Sequence, residues 1–319
     1  MELIEGVALS KLCDYSFGDQ SGQWGNIHTS FMKDASLANV EFVSKLFEIK
    51  KSRDYMTLFI DNIRLYKRHI VEVSESDRPY VEGLMEKSDL LRLCSNFPDM
   101  KFIIFTNLED TPTDEYIFDA IPKNVLCISA VNAVAHGGKV IPAPYGLQRA
   151  MNPNDDRIKI MTEYTEIAST QKWDLHTWLL YISLNEKSHP DRYGIKEHFD
   201  RHAWRWVWVD RERTIIYQHF LGTMRLSKFV LCPRGNAIDC HRNWEVLYMR
   251  RVPVMKKNPY FETLFKGYPV LFVDSYFDIT EKLLIDNDHL YQEAQTMDLV
   301  PLTLPHFFDK IILKALEIN

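Results

Sequence analysis

Short, continuously apolar segments alternate with helical patterns along this chain, and that alternation limits the possible folds more than any other feature. In the first half the apolar segments are Tyr55–Asp61, Lys101–Thr106 and Val125–Ala130. Between the first two of them, residues 82–96 carry leucines at helical spacing. Strands that are apolar throughout and separated by helices are typical of a parallel sheet covered on both faces. The pattern therefore predicts an α/β fold.

The same pattern starts again in the second half. The predicted strands there are Trp178–Ser183, Phe229–Cys232, Val252–Met255 and Pro269–Val273, and the predicted helices are Cys240–Arg251 and Ile279–Leu284 with its extension. A chain of 319 residues is also long for one domain at about 100–200 residues each. We therefore predict an N-terminal Rossmann-like domain over residues 1–150, a polar linker over 151–175 and a C-terminal Rossmann-like domain over 176–319. In this domain assignment, the final helix of the chain can pack back on the N-terminal domain.

Composition and charge restrict the class of protein. The formal net charge of −6 argues against a nucleic-acid-binding surface, which normally has a basic bias. The five cysteines are scattered and form no CxxC pair, which predicts reduced thiols instead of disulfides or a zinc site. No apolar run approaches the ~20 residues of a membrane helix, and the N-terminus does not resemble a signal peptide. We expect a soluble, cytoplasmic protein without an integral membrane segment.

The most informative segment is Ser227–Val254, which reads SKFVLCPRGNAIDCHRNWEVLYMRRVPV. An apolar strand runs into a Cys-Pro-Arg-Gly-Asn turn, and the helix that follows has Asp239 as its expected N-cap. Gly235 and Asn236 tolerate unusual backbone angles and would let a ligand approach the main chain closely. Because the amino end of a helix attracts anions, we expect a phosphate in this turn.

Basic side chains surround the same turn, namely Arg234, His241 and Arg242. The helix dipole disfavours cations at an amino end, and an anion bound between these side chains would explain that cost. Glu245 lies about one turn into the helix, where a carboxylate can accept hydrogen bonds from a ribose diol. Phosphates at the turn and ribose at the glutamate together describe a nucleotide. The alternative is an ordinary strand–turn–helix with a solvated basic end.

Ser227–Val254 also resembles the C-terminal signature of the exostosin-like glycosyltransferases of the family 47 type. In that signature Cys-Pro-Arg-Gly leads to a helix with His-Arg, an aromatic residue and Glu, and then to a strand with Pro-Val, here Val252–Val254. The resemblance extends to about Leu284. It implies the GT-B fold, in which two Rossmann-like domains with parallel sheets face each other across a cleft.

The resemblance implies an activity as well. Such proteins transfer a sugar from a nucleotide donor, most often UDP-linked, to a glycan or glycoconjugate hydroxyl, with inversion and without a metal or other cofactor. The donor would be bound mainly by the C-terminal half. Many relatives are Golgi proteins with an N-terminal membrane anchor, whereas this sequence shows none, so we expect a bacterial or virus-encoded enzyme of the cytosol.

A second loop is expected at the donor. In the GT-B arrangement the first loop of the donor domain approaches the diphosphate, and here LNEKSHPDR follows the strand that begins at Trp178. This makes Lys187, Ser188 and Arg192 candidate phosphate ligands. The alternative is an exposed charged loop.

The catalytic base is expected in the N-terminal domain. An inverting transfer needs one general base to take the proton of the acceptor hydroxyl as it attacks the anomeric carbon. The glycine-rich segment Cys13–His28 follows the expected first strand and should line the acceptor side of the cleft. Asp19 is the first candidate, His28 the second, and Asp61, at the end of an apolar strand, the third. Each could instead cap a helix or stabilise a turn.

The sequence contains two further motifs and leaves two rival functions open. Asp286–Asp288 resembles the metal-binding DxD of GT-A glycosyltransferases but lies late in the chain, not after an apolar strand, and we predict no metal site. The alternating Trp204, Trp206 and Trp208 are predicted to be core residues. One rival function is a non-catalytic protein that binds a nucleotide or sugar on the same scaffold. The other is a metal-dependent GT-A enzyme.

Overall fold

A computed structural model describes two compact units of this chain. The described residues are 1–17, 40–61, 89–107, 121–134, 137–148, 156–170, 177–201, 204–211 and 216–317. The C-terminal unit contains Met1–Leu3 and most of the chain from Gly146 to Thr303. The N-terminal unit contains Ile4–Tyr145 and the segment that starts at Leu304. Each unit is built on its own parallel sheet.

The N-terminal unit has a five-stranded parallel sheet. Its strands, in chain order, are β1 (Tyr15–Ser16), β2 (Tyr55–Asp61), β3 (Lys101–Asn107), β4 (Val125–Ala130) and β5 (Val140–Pro142), and its first helices are α1 (Gly6–Leu12), α2 (Val40–Lys50) and α3 (Asp89–Ser95). The strands lie in sequence order, and every neighbouring pair is parallel. All residues of β4 and all but the first of β3 are buried, as expected of strands that are apolar on both faces.

The C-terminal unit has a second five-stranded parallel sheet. Its strands are β6 (Trp178–Ile182), β7 (Val207–Val209), β8 (Ser227–Leu231), β9 (Val252–Lys256) and β10 (Leu271–Val273). The α-helices from Arg157 onward are α4 (Arg157–Thr170), α5 (Ile195–Arg201), α6 (Tyr217–Arg225), α7 (His241–Tyr248), α8 (Pro259–Leu264), α9 (Glu281–Asp286), α10 (Asp288–Thr296) and α11 (Leu304–Glu317). Short 3₁₀ helices cover Glu186–Ser188, Pro190–Arg192, Tyr276–Asp278 and Val300–Leu302. The two parallel α/β sheets predicted from the sequence are thus confirmed.

One face of the second sheet carries the core of the C-terminal unit. Alternate residues of neighbouring strands point into it: Leu180, Ile182, Phe229, Leu231, Val252 and Val254. Ile195 and Phe199 of α5 pack against the same face and are buried. Because these side chains pack the strands into a rigid layer, the loops at the strand ends start from fixed positions.

Several elements differ from the predictions in their bounds. Within the segment predicted as a linker, Arg157–Thr170 forms a helix. The helix predicted over Cys240–Arg251 ends at Tyr248, and Arg250 just beyond it has a left-handed backbone (φ 54°). A side chain with a Cβ is strained in that conformation, and the Arg250 guanidinium offsets the cost by donating to the carbonyl oxygen of Met297 at 2.6 Å. Helix α11 belongs to the N-terminal unit, where Phe308 stacks on Phe105.

None of the helices in the described part of the chain has the length and apolar character needed to cross a membrane.

Candidate functional site

The candidate site lies at the point where the winding of the second sheet reverses. The strand order is β10-β9-β8-β6-β7, so the chain passes from β6 outward to β7 and then returns to place β8 on the other side of β6. Loops that leave the carboxyl ends of two such strands diverge and open a crevice, and ligands of α/β proteins bind there. The loop after β6 contains Lys187, Ser188 and Arg192, and the loop after β8 contains Arg234, Gly235 and Asn236. The sheet topology therefore brings together the two loops that the sequence analysis had separately predicted to bind phosphate.

Arg192 holds these two loops to each other. Its side chain is only 8% exposed. Nε donates to the carbonyl oxygen of Arg234 at 2.6 Å and Nη2 donates to that of Pro233 at 2.8 Å. Nη1 donates to Ser188 Oγ at 3.0 Å within its own loop. Arg192 was predicted as a phosphate ligand, and here its donors instead fix the shape of the turn after β8.

The space beside Arg192 explains the glycine of the turn. A Cβ on Gly235 would lie 3.2 Å from Arg192 Nη2 and 3.6 Å from Cys240 Sγ. The Gly235 N–H donates to the same sulfur at 3.1 Å. Neither Gly235 nor Asn236 has a positive φ, so this turn does not use their tolerance of such backbone angles. A side chain at this position would press on the guanidinium, which would have to shift by a few tenths of an ångström, so the site favours glycine.

The start of helix α7 differs from the prediction. Cys240, not Asp239, is the N-cap residue, and its side chain makes no capping hydrogen bond. Asp239 is fully buried and accepts hydrogen bonds from Asn243 Nδ2 and Trp244 Nε1, both at 2.8 Å. The two donors satisfy the buried carboxylate, which would otherwise cost free energy in the interior. The amino end of α7 is therefore left without a side-chain cap.

Three basic side chains lie at this helix end, as the sequence indicated. Arg242 donates to the carbonyl oxygen of Ser183, just after β6, and its guanidinium lies 5.2 Å from the ring centre of Phe220. Arg234 Nη2 makes a long contact of 3.4 Å to the carbonyl oxygen of Asn236. The Nε atoms of Arg234 and Arg242 are buried and have no hydrogen-bond partner among the described residues. His241 Nδ1 lies 2.9 Å from the carbonyl oxygen of Gly146.

Glu245 lies on the same helix, one turn further on, and is 7% exposed. Its Oε1 accepts a hydrogen bond from Tyr217 Oη at 2.9 Å. Burial raises the pKa of Glu245 above its usual range, while Arg242, the Tyr217 hydrogen bond and Arg157 act in the opposite direction. Tyr217 and Arg157 were missed by the sequence reasoning because they lie on α6 and α4, outside the motif, where no local pattern marks them.

The remaining predicted donor residues are in the loop after β6. Ser188 Oγ donates to the carbonyl oxygen of Asn185 at 2.7 Å and accepts a hydrogen bond from Arg192. It therefore belongs to the hydrogen-bond network by which Arg192 holds the two loops together. Lys187 is exposed, and its backbone N–H is capped by Asn185 Oδ1 at 3.1 Å. Of the two, Lys187 is the one whose charge is presented to solvent.

The candidate bases are described only in part. Asp19 and His28 lie outside the described residues. Asp61 is the last residue of β2 and is paired in register with Asn107, which places it at the carboxyl edge of the first sheet. Its side chain lies outside the description, and all three stay predictions.

The aspartates of the DND motif are engaged elsewhere. Asp286 pairs with Lys282 one turn earlier on α9. Asp288 pairs with Lys228, which is the second residue of β8 and therefore at the amino edge of the sheet. The turn with Arg234 follows the carboxyl end of that same strand. Among the described residues, no group of three or more His, Cys, Asp or Glu side chains could hold a metal ion.

The three alternating tryptophans divide into two groups. Trp204 and Trp206 stack with ring centres 5.1 Å apart and pack against the core of the C-terminal unit, as predicted. Trp208 on the edge strand β7 is 42% exposed and borders a cavity of about 550 Å³. The prediction of a core role is wrong for Trp208, whose ring lies against Trp178 of β6 and stays partly open to solvent.

Comparisons with known proteins assign this chain to no family. No protein-family model matches this chain, and no curated protein matches it. The resemblance of Ser227–Val254 to exostosin-like glycosyltransferases therefore stays a prediction. Among solved structures, the chain is similar to an alpha1,3-fucosyltransferase, with a TM-score of 0.39 and 10% sequence identity over 84% of this chain and 90% of that one. A likeness at this level assigns neither a family nor an activity.

Proposed function

We propose that this protein transfers a sugar from a nucleotide donor, UDP-linked, to a glycan hydroxyl, with inversion and without a metal ion. One observation carries the proposal: basic side chains and an uncapped helix end meet a buried glutamate at the reversal point of a parallel sheet. The sequence resemblance of Ser227–Val254 supports the same activity.

The turn after β8 has the chemistry of a diphosphate site. Among the residues that the structure describes, the Nε–H groups of Arg234 and Arg242 are buried without a hydrogen-bond partner, and a buried N–H left unpaired costs about 1–3 kcal/mol. The amino end of α7 adds backbone donors and the positive end of the helix dipole. An anion bound at this turn would be stabilised by the charge of the two guanidinium groups and by the helix end.

Glu245 completes a nucleotide site. It follows Arg242 by three residues on the same helix, so both side chains lie on one side of α7. A carboxylate there can accept hydrogen bonds from ribose hydroxyls while the diphosphate lies at the helix end. The 2′- and 3′-hydroxyls of UDP are thus the expected partners of Glu245.

The reaction requires charge stabilisation at the leaving group and a base at the nucleophile. The acceptor oxygen forms a bond to the anomeric carbon while the bond from that carbon to the UDP oxygen breaks. The acceptor proton passes to the base, for which Asp19, His28 and Asp61 are the candidates. The negative charge that develops on the departing diphosphate is stabilised by Arg234, Arg242 and the helix amino end.

Arg234→Ala is expected to weaken UDP binding by about 1.5–3 kcal/mol, or roughly 10- to 150-fold, because a charge-assisted hydrogen bond to phosphate is lost. Isothermal titration of UDP measures the change. Arg205→Ala is a matched control. Arg205 is exposed and lies just before β7, at the amino ends of the strands, whereas the proposed site lies at their carboxyl ends. Unchanged UDP affinity in a folded Arg234→Ala variant would remove the basis of the proposed donor site.

EDTA is expected to leave the transferase activity intact. Arginines and a helix end neutralise the diphosphate in this proposal, so no divalent cation is needed at the leaving group. The measurement is UDP release from UDP-sugars with a panel of glycan acceptors, before and after chelation. Complete loss of activity that manganese restores would favour a metal-dependent enzyme, and UDP binding without any UDP release would favour a non-catalytic binding protein.

A further inference from the structure

Glu245 is held by a side chain from outside the Ser227–Val254 motif. Tyr217 is the first residue of α6, and its Oη lies 2.9 Å from Glu245 Oε1 and 3.5 Å from Met161 Sδ. A hydroxyl has one proton to donate, and a carboxylate is a far better acceptor than a thioether. The hydrogen bond therefore goes to Glu245. Its second oxygen, Oε2, accepts no hydrogen bond from the described residues.

Charged and titratable groups approach Glu245 from each element packed around it. Arg242 lies on its own helix, Arg157 on α4, Tyr217 on α6, and Cys232 directly after β8. Burial favours the neutral carboxyl group, whereas the two guanidinium groups and the Tyr217 hydrogen bond favour the carboxylate. Burial also raises the pKa of the Cys232 thiol, which keeps it neutral. Among these groups, Tyr217 makes the directed bond that fixes one carboxylate oxygen and thereby the orientation of the other.

We propose that Tyr217 is a positioning residue that fixes one carboxylate oxygen of Glu245 and directs the other to the 2′-hydroxyl of a ribose. The pair would then select ribonucleotides over 2′-deoxyribonucleotides. The identity of the ligand rests on the proposed function, but the coupling between Tyr217 and Glu245 does not. Tyr217→Phe removes only the hydroxyl, so the ring stays and the helix packing is retained.

The first test compares UDP with dUDP by isothermal titration. In Tyr217→Phe, UDP affinity is expected to fall about 5- to 20-fold, while dUDP affinity stays within about 2-fold of wild type. Glu245→Gln should lose the same preference for UDP. Adding Tyr217→Phe to Glu245→Gln should then have no further effect, because a positioning residue acts only through the group that it positions.

The pH dependence supplies a second readout. The 2′-hydroxyl donates to the ionised carboxylate, so the preference for UDP is present above the pKa of Glu245 and is lost as the pH falls through it. Tyr217→Phe removes a bond that favours the ionised form, so the loss should begin at higher pH. Because UDP and dUDP carry the same phosphates, phosphate protonation cancels in the ratio of their affinities.

A measurement without nucleotide separates this inference from the proposed function. Carboxyl-¹³C glutamate labelling, with the Glu245 signal assigned from Glu245→Gln, follows the titration of Glu245 directly. We expect it to titrate at higher pH in Tyr217→Phe than in wild type. Equal titration in the two proteins, or an unchanged UDP-to-dUDP ratio in a variant that binds UDP, would overturn the inference. If wild type binds no UDP but the titration shifts, the proposed function fails and the coupling stands.

Discussion

Arg192→Ala is expected to lower the free energy of unfolding of the C-terminal unit by about 3–5 kcal/mol and to abolish measurable UDP binding. The substitution leaves the carbonyl oxygens of Pro233 and Arg234 without their donors, and each buried carbonyl left unpaired costs about 1–3 kcal/mol. It also leaves a cavity where the buried guanidinium was. The turn would then lose the shape that presents Arg234 to a ligand.

Urea unfolding followed by tryptophan fluorescence measures this effect. All tryptophans except Trp24 follow residue 170, so the signal reports mainly on the C-terminal unit. Arg201→Ala is the control, because its pair with Glu197 is exposed on both sides and pairs of that kind contribute only about 0.3–0.5 kcal/mol. A loss below about 1 kcal/mol in Arg192→Ala would show that other contacts hold the turn. Lysine at this position should restore only part of the stability, since a single ammonium cannot reach both carbonyls in the way that a planar guanidinium does.

Asp19→Asn is expected to reduce turnover by about 10²- to 10⁴-fold while UDP affinity stays the same. Asparagine keeps the shape of the side chain and some of its hydrogen bonding but cannot take a proton from the acceptor hydroxyl. A carboxylate suits the role because it is ionised at neutral pH without activation. The measurements are steady-state UDP release with a glycan acceptor and, separately, isothermal titration of UDP.

His28→Ala and Asp61→Asn are the comparison variants for Asp19. Near-wild-type turnover in Asp19→Asn with a large loss in His28→Ala would make His28 the base, and the same outcome for Asp61→Asn would make it Asp61. If all three variants remain active, the acceptor hydroxyl is deprotonated elsewhere. Loss of UDP affinity in Asp19→Asn would contradict a role restricted to the acceptor.

The buried strands could be predicted because burial on both faces requires continuously apolar segments. β2 and β4 have the predicted bounds, and β3 is one residue longer. The expectation of a first strand before Cys13 is wrong, because helix α1 lies there and β1 lies within the segment Cys13–His28. The bounds of β1, β5 and β7 were not predicted because two or three residues cannot show a period. Short edge strands of this kind are defined by their neighbour in the sheet more than by their own sequence.

The helix within the predicted linker was missed for a different reason. Arg157–Thr170 is polar over most of its length, and only Met161 and Thr165 are buried among its residues. Its apolar stripe is therefore too narrow to recognise in the sequence.

Only the part of the candidate site that is contiguous in the sequence could be predicted. The turn after β8 and the helix after it are contiguous, so their residue types and spacing carry the signal. Arg192 was predicted to bind phosphate because its charge can be read from the sequence. Its burial and its hydrogen-bond acceptors depend on a loop more than 40 residues away. Asp239 was predicted to be the N-cap, but its carboxylate instead accepts hydrogen bonds from Trp244 and Asn243 in the interior. Long-range contacts decide such roles, and a single sequence does not contain them.

The crystal structure of this protein with UDP bound tests the central claim most directly. The account predicts the diphosphate against Arg234 and Arg242 at the amino end of α7, with the ribose hydroxyls on Glu245 and the conformation of the turn unchanged. UDP bound away from the carboxyl ends of β6 and β8, or no bound UDP at millimolar concentration with the turn open to solvent, would contradict it.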